Sequence, residues 1–181
     1  MALPTPAPTN RRGLSLDPAA TADLPEIARL AEIIWWRCYP PIIGSGQVHY
    51  MLGRGYALPA LRESLRNGTR FSLLRLAGRS IGFSAWRPAG GGGFLDKLYL
   101  HPGFHGTGLG RWLIDATCRE MARDGVDRAC LRVNRHNRPA IRAYERAGFV
   151  ITGTDCQPIG GGYVMDDYLM SRTGILGLLL D

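Results

Sequence analysis

Three glycines at every second position constrain this chain more than any other feature. In Lys97-Leu98-Tyr99-Leu100-His101-Pro102-Gly103-Phe104-His105-Gly106-Thr107-Gly108-Leu109-Gly110-Arg111, a strand-like run enters a Pro-containing turn, passes Gly106, Gly108 and Gly110, and opens a helical stretch. Glycine lacks the Cβ that would block a ligand and reaches positive φ without strain. A helix start adds unpaired N–H groups and the positive end of the macrodipole. Together these make a place for a pyrophosphate that needs no side-chain charge. A tight turn is the plain alternative. A dinucleotide-binding fingerprint fits poorly, because it needs G-x-G-x-x-G in the first strand–helix turn and an acid about 20 residues on. Here the spacing is G-x-G-x-G, past the middle of the chain, and the next strand ends in Arg132-Val133-Asn134-Arg135.

A second constellation follows in Asn137-Arg138-Pro139-Ala140-Ile141-Arg142-Ala143-Tyr144-Glu145-Arg146-Ala147-Gly148-Phe149. Asn137 suits a helix N-cap, and Pro139 is tolerated in the first turn. Ala140, Ala143, Tyr144 and Ala147 fall on one helical face, so Tyr144 points with the apolar side and three alanines leave room beside it. Arg138, Arg142 and Arg146 form the opposite stripe. A core aromatic and a simple cap are the structural alternatives for Tyr144 and Asn137.

With both segments in this order, the chain resembles the GNAT superfamily of N-acetyltransferases, closely over residues 94–149 and more loosely from Leu14 to Arg172. The resemblance implies an α/β fold (mixed α+β), a single domain with a central, mostly antiparallel mixed sheet flanked by helices. It implies acetyl-CoA as co-substrate, no metal, and direct transfer of the acetyl group to the primary amine of a small molecule, polyamine-like or similar. A non-catalytic acyl-CoA-binding module and a protein N-acetyltransferase are the alternatives. Residue by residue, Leu98, Tyr99 and Leu100 would offer backbone groups to the pantetheine arm. His105, Gly106, Thr107, Gly108, Leu109, Gly110 and Arg111 would surround the pyrophosphate. Asn137 would bond the arm near the thioester, and Tyr144 would protonate the leaving sulfur. The family's Arg or Gln at the start of the pyrophosphate signature is His105 here, so any side-chain contribution at that position would follow pH. Asp96 is the candidate base, with Asp166, Asp167 and a water chain as rivals. Substrate contacts are expected from the early helices, at Trp35, Trp36, Tyr39 and Tyr50. Adjacent residues on a helix point about 100° apart, so Trp35 and Trp36 cannot both face one core.

The remaining sequence fits that reading. The 181 residues suffice for one core, and 45% hydrophobic with 20% charged residues is ordinary for a globular chain. The expected organisation is a flexible N-terminal tail over residues 1–13, an acetyltransferase domain over 14–172 and a short C-terminal tail over 173–181. The start, MALPTPAPTNRRG, lacks the continuous apolar run of a signal peptide, and no apolar stretch approaches the roughly 20 residues of a membrane span. A cytoplasmic protein with free thiols is expected, since Cys38, Cys118, Cys130 and Cys156 form no C-x-x-C pair. Six arginines and one acid between Arg128 and Arg146 raise nucleic acid as a partner, but a nearby phosphate-rich cofactor explains them better. The apolar stretch Ile175–Leu180 is open to a homodimer contact or to docking on its own chain.

The periodicity predicts a strand at Leu14–Asp17 and a helix capped by Asp17 or Thr21 that ends near Tyr39-Pro40-Pro41. A loop through Gly46 should follow, then two short helices within 47–67. Strands are expected at 71–76, 80–86 and 94–100, with a flexible Gly90–Gly93 turn. A helix to Arg123, a strand at 129–133, a helix at 138–147 and strands at 149–153 and 163–171 complete the order.

Overall fold

In the computed structural model, which describes residues 12–180, β1 (Leu14–Pro18) pairs antiparallel with β2 (Arg70–Leu76), Leu14 opposite Leu76 and Pro18 opposite Ser72. Four helices lie between these strands in sequence: α1 (Leu24–Cys38), α2 (Pro40–Ile43), α3 (Ser45–Gly55) and α4 (Leu58–Arg66). Then come β3 (Arg79–Ala89), β4 (Gly92–Leu100), α5 (Leu109–Arg123), β5 (Arg128–Asn134), α6 (Arg138–Arg146), β6 (Val150–Gly160) and β7 (Tyr163–Thr173). The seven strands form one mixed sheet in the order β1-β2-β3-β4-β5-β7-β6. Pairing is parallel between β4 and β5 and antiparallel between β5 and β7 and between β6 and β7. This is the expected α/β class. Of the expected N-terminal tail, residues 1–11 lie outside the described residues.

The chain groups into two compact units, one containing Lys97–Leu113 with the residues up to Ala85, the other Trp86–Asp96 with the residues from Ile114 onward. In the first, α1 buries Leu24, Ile27, Leu30, Ala31, Ile34 and Trp35, a three-and-four spacing that turns one stripe inward. These residues meet Val48 of α3, Leu61 of α4, Phe71 and Leu73 of β2, and Phe83 of β3. Each fully buried Leu or Ile there contributes roughly 1.5–3 kcal/mol. A second cluster joins Leu74, Ile81, Leu100, Phe104, Leu109 and Leu113. It holds the end of β4 and the start of α5 on one apolar contact.

Several local expectations change. Neither Asp17 nor Thr21 caps α1. Thr21–Asp23 forms a 3₁₀ turn, Asp23 takes the N-cap position, and its Oδ2 accepts the Ala20 N–H at 2.9 Å. Asp17 instead accepts from Arg75 at 2.9 Å. The expected loop after Tyr39 begins as helix α2, because Pro40 and Pro41 occupy the first turn, where no N–H is needed. The expected Gly90–Gly93 turn is two residues, Gly90 and Gly91, both at positive φ as a tight hairpin requires. Gly92 and Gly93 belong to β4 and are glycine for another reason. A Cβ on Gly92 would stand 2.7 Å from the Arg128 carbonyl oxygen, and one on Gly93 would stand 2.8 Å from Met121 Sδ. β6 runs to Gly160 rather than stopping near 153, with irregular register at Ile151/Gly153 and Pro158/Gly160. As the last strand in the sheet it tolerates Pro158. After β7, Ile175–Leu179 forms a 3₁₀ turn that buries Ile175, and the Ile175 N–H donates to the Asp127 carbonyl. Leu176, Leu179 and Leu180 stay exposed.

Gly82 of β3 is the tightest backbone approach. A Cβ there would lie 2.5 Å from the Tyr99 carbonyl oxygen and 3.3 Å from Leu100 Cα on β4. Both obstacles are backbone, which cannot swing aside. Gly82→Ala should therefore lower the unfolding free energy by about 2 kcal/mol or more in urea titration, whereas Gly53→Ala, where the new methyl meets nothing, should not destabilise the chain.

Candidate functional site

The glycine segment opens α5 as the sequence predicts. Gly106 and Gly108 have φ of 76° and 81°, and a Cβ added to either would meet nothing within 4 Å. The bare backbone therefore borders open space just ahead of Leu109, the first residue of α5, where four N–H groups lack carbonyls a turn earlier. That is the geometry a pyrophosphate requires, and these residues fit it. The turn is pinned from within. Thr107 Oγ1 donates to the Phe104 carbonyl at 2.6 Å, and His105 Nε2 lies 3.0 Å from the Leu100 carbonyl. The His105 ring thus ties the glycine segment to the end of β4. His101 Nδ1 accepts the Gly103 N–H at 3.2 Å, and burial, with His105 and Arg29 adding to it, lowers its pKa below the usual imidazole value. Leu98 and Leu100 join the apolar cluster with Leu109, and Arg111 is exposed on the first turn of α5.

Strand alternation turns Tyr99 the other way, into an aromatic group of α1, β3 and the turn after α3. Trp35 stacks on Tyr39 with centroids 4.5 Å apart, and both rings lie within 6.2 Å of Tyr99. Tyr56 donates its hydroxyl to Tyr99 at 2.9 Å, and Lys97 Nζ sits 5.2 Å from the centre of the Tyr56 ring. Trp35 Nε1 is buried without a hydrogen-bond partner among the described residues. Of the four expected substrate residues, Trp35 and Tyr39 meet in this group. Trp36 is 42% exposed, and Tyr50 is half-buried with Arg54 Nη1 3.5 Å from its hydroxyl. Tyr56 and Tyr99 complete the group; Tyr56 was missed because its contacts come from tertiary packing rather than local spacing. An open cleft of about 900 Å³ also borders α1, lined by Arg29, Arg37, Arg79 and His101 among others, and none of residues 105–111 lines it.

The second unit holds the other constellation. Asn137 caps α6, its Oδ1 accepting the Ala140 N–H at 3.3 Å. Tyr144 is the buried residue of α6 and packs edge-on against Phe149 at 5.6 Å. Burial raises its pKa well above the usual phenol value, and the Cys118 thiol pushes in the same direction. The phenol keeps its proton throughout the neutral range. Arg138, Arg142 and Arg146 are exposed.

The acids separate clearly. Asp96 is exposed on β4, on the face it shares with Leu98 and Leu100. Asp166 bonds Arg135 at 3.2 Å. Asp167 is 3% exposed, and its Oδ1 has no hydrogen-bond partner among the described residues. Burial pushes its carboxyl up to about 6 from 3.8; Arg132 draws it down, and Asp155 and Asp166 raise it. Among the described residues no His/Cys/Asp/Glu group has metal-site geometry, the four cysteines are free, and no helix is long and apolar enough to cross a membrane.

Known proteins resemble this chain in sequence and in fold. A family model described as the acetyltransferase (GNAT) family matches residues 31–149. An uncharacterised N-acetyltransferase of Mycobacterium tuberculosis is 31% identical over 152 residues, 83% of this chain and 97% of its own. The PaiA N-acetyltransferase of Thermoplasma acidophilum, solved in complex with coenzyme A, superposes with a TM-score of 0.75 at 21% identity, over 88% of this chain and 98% of its own. The spermidine N-acetyltransferase of Vibrio cholerae, in complex with CoA and spermine, gives a TM-score of 0.67 at 20% identity, over 94% and 99%.

Because folding raises the Asp167 pKa, its ionised form weakens the fold. Stability present below about pH 4 is lost as pH rises to about 6 and stays lost above that. The ceiling on this effect is roughly 3 kcal/mol, at about 1.4 kcal/mol per pH unit. Asp167→Asn should remove the loss. Urea titrations should show the variant gaining on the wild type between pH 4 and 6 and remaining roughly 1–3 kcal/mol more stable at pH 8; a difference that stays flat across that window would contradict the assignment.

Proposed function

Since this chain belongs to the acetyltransferase (GNAT) family, and is an acetyl-CoA-dependent N-acetyltransferase, we propose that its acceptor is the primary amine of a small molecule. The observation that carries this reading is the aromatic group of Trp35, Tyr39, Tyr56 and Tyr99, in which the Tyr56 ring already holds one alkylammonium, that of Lys97. Aromatic faces attract cations through their quadrupoles, so a cationic amine with an apolar body suits such a surface. The spermine bound to the Vibrio cholerae relative is consistent with that class.

Acetyl-CoA supplies an acetyl group activated as a thioester. The chain's residues bind and orient it and move the protons. The N–H groups of residues 106–111 would hold the pyrophosphate, the backbone of Leu98–Leu100 would bind the pantetheine arm, and the Asn137 carboxamide would bond the arm near the thioester. Tyr144, with its proton at Oη, would donate it to the departing sulfur. Its raised pKa matters here. An ordinary phenol is already protonated at neutral pH, so burial is not what keeps the proton in place; it makes the phenol a weaker acid. The transfer is compensated because the same apolar surroundings that penalise a phenolate also penalise a thiolate.

Thiol release from acetyl-CoA across a panel of polyamines, aralkylamines and aminoacyl peptides tests this reading. Turnover should be highest with a small cationic amine; turnover confined to peptide N-termini would overturn the acceptor class. Tyr144→Phe should lower kcat about 10²- to 10⁴-fold while the rise in Tm on adding CoA is retained. Normal turnover in that variant would remove Tyr144 as the acid.

A further inference from the structure

A base is still required, and the second unit contains one group suited to it. Asp167 is buried with a bare oxygen, and the cation facing it is already engaged, since Arg132 of β5 bonds Asp155 of β6 at 2.9 Å. The charged and titratable groups around the carboxyl are Arg132 from β5, Asp155 from β6, directly opposite it in register, and Asp166 beside it on β7. A buried carboxylate usually persists because hydrogen bonds or a counter-ion stabilise it. This one has a carboxylate as its opposite neighbour and a shared arginine committed elsewhere.

The register also gives its position. Asp167 stands across from Asn134, the last residue of β5. The Asn134 carbonyl accepts the Asn137 N–H at 2.9 Å, and its Oδ1 accepts the His136 N–H at 3.0 Å. The next link ties the same turn to β7, where the Arg135 N–H donates to the Asp166 carbonyl at 3.1 Å. Thus the turn that presents Asn137 hangs from the rung that carries Asp167. Of the competing acids, Asp166 is in an ion pair with Arg135, and Asp96 is exposed on β4.

We propose that Asp167 is the general base that takes the proton from the acceptor amine. This rests on the reading of Asn137 and Tyr144 as the residues at the thioester. Asp167 accepts one proton from the nitrogen as its lone pair forms the C–N bond to the acetyl carbon. The C–S bonding pair leaves with sulfur, and Tyr144 protonates it. Asp167 then loses its proton to solvent and Tyr144 regains one, so a neutral amine and acetyl-CoA give the amide and CoA. An ammonium substrate releases one further proton. A carboxyl that titrates near 6 is mostly ionised at neutral pH and is a stronger base than an ordinary aspartate, which suits the task.

The test uses the full chain and Asp167→Asn, a nearly isosteric change. Carbon-13 NMR of the carboxyls, without acetyl-CoA, should show one resonance titrating near pH 6 that the variant lacks. With spermidine and with the best amine of the panel, wild-type kcat should rise through an acid limb near pH 6. In the variant, kcat at pH 7.5 should fall at least 100-fold and that limb should vanish, while CoA still raises Tm as in the wild type. A variant kcat within threefold of wild type with the limb intact overturns the proposal, as does a rise in the amine KM alone, which would make Asp167 an ammonium-holding group. If the wild type binds CoA but acetylates no amine in the panel, the acceptor reading fails. The base assignment is then decided by the NMR titration, and a carboxyl pKa below 4.5 rejects it.

Discussion

A parallel pair of strands cannot be joined by a hairpin, and that topological demand organises the region around the candidate site. β4 and β5 share a ladder of three rungs, from Gly93 opposite Ala129 to Leu95 opposite Leu131, and β4 continues to Leu100 beyond the last of them. To return for a parallel partner the chain must cross over through a helix, so α5 has to begin past the carboxyl end of β4. Its N-terminus and the glycines that turn the chain into it therefore follow from the pairing. The cost appears at the other end of the ladder. Gly92 and Gly93 lack side chains because the Arg128 backbone and the Met121 side chain press against them.

Burial sets the chemistry of the second unit by shifting two groups in the same direction for different ends. A low-dielectric surrounding disfavours the charged form of both a phenol and a carboxyl. For Tyr144 the result is a phenol held in its neutral form, and for Asp167 a carboxyl with increased proton affinity. Neither requires a neighbouring cation, and the nearby arginines are paired with other acids or exposed.

What could be read from the sequence was whatever depends on near neighbours in the chain. The helical face of Tyr144, the cap at Asn137 and the glycines ahead of Leu109 are local patterns, and the structure has them as expected. The spacing of Trp35 and Trp36 showed that only one could be buried, but the choice of Trp35 depends on Tyr39, Tyr56 and Tyr99, which meet it through packing. The extent of β6 was illegible for a related reason. Its Gly, Pro and Thr residues favour a loop, and only the long antiparallel partner β7 makes it a strand. Asp166 and Asp167 are adjacent and chemically identical in sequence. Opposite strand faces give one an arginine and the other a dry, unpaired oxygen, a difference set by residues more than thirty positions away.

The stacking of Lys97 on Tyr56 has a consequence for the protein's own durability. The chain's 22 basic residues include a single lysine, and the rest are arginines, whose guanidinium groups stay protonated and do not attack thioesters at neutral pH. A protein that works beside a reactive acyl donor thus exposes almost no side-chain amine to stray acylation. The one it has is half-buried, with its ammonium held over an aromatic ring.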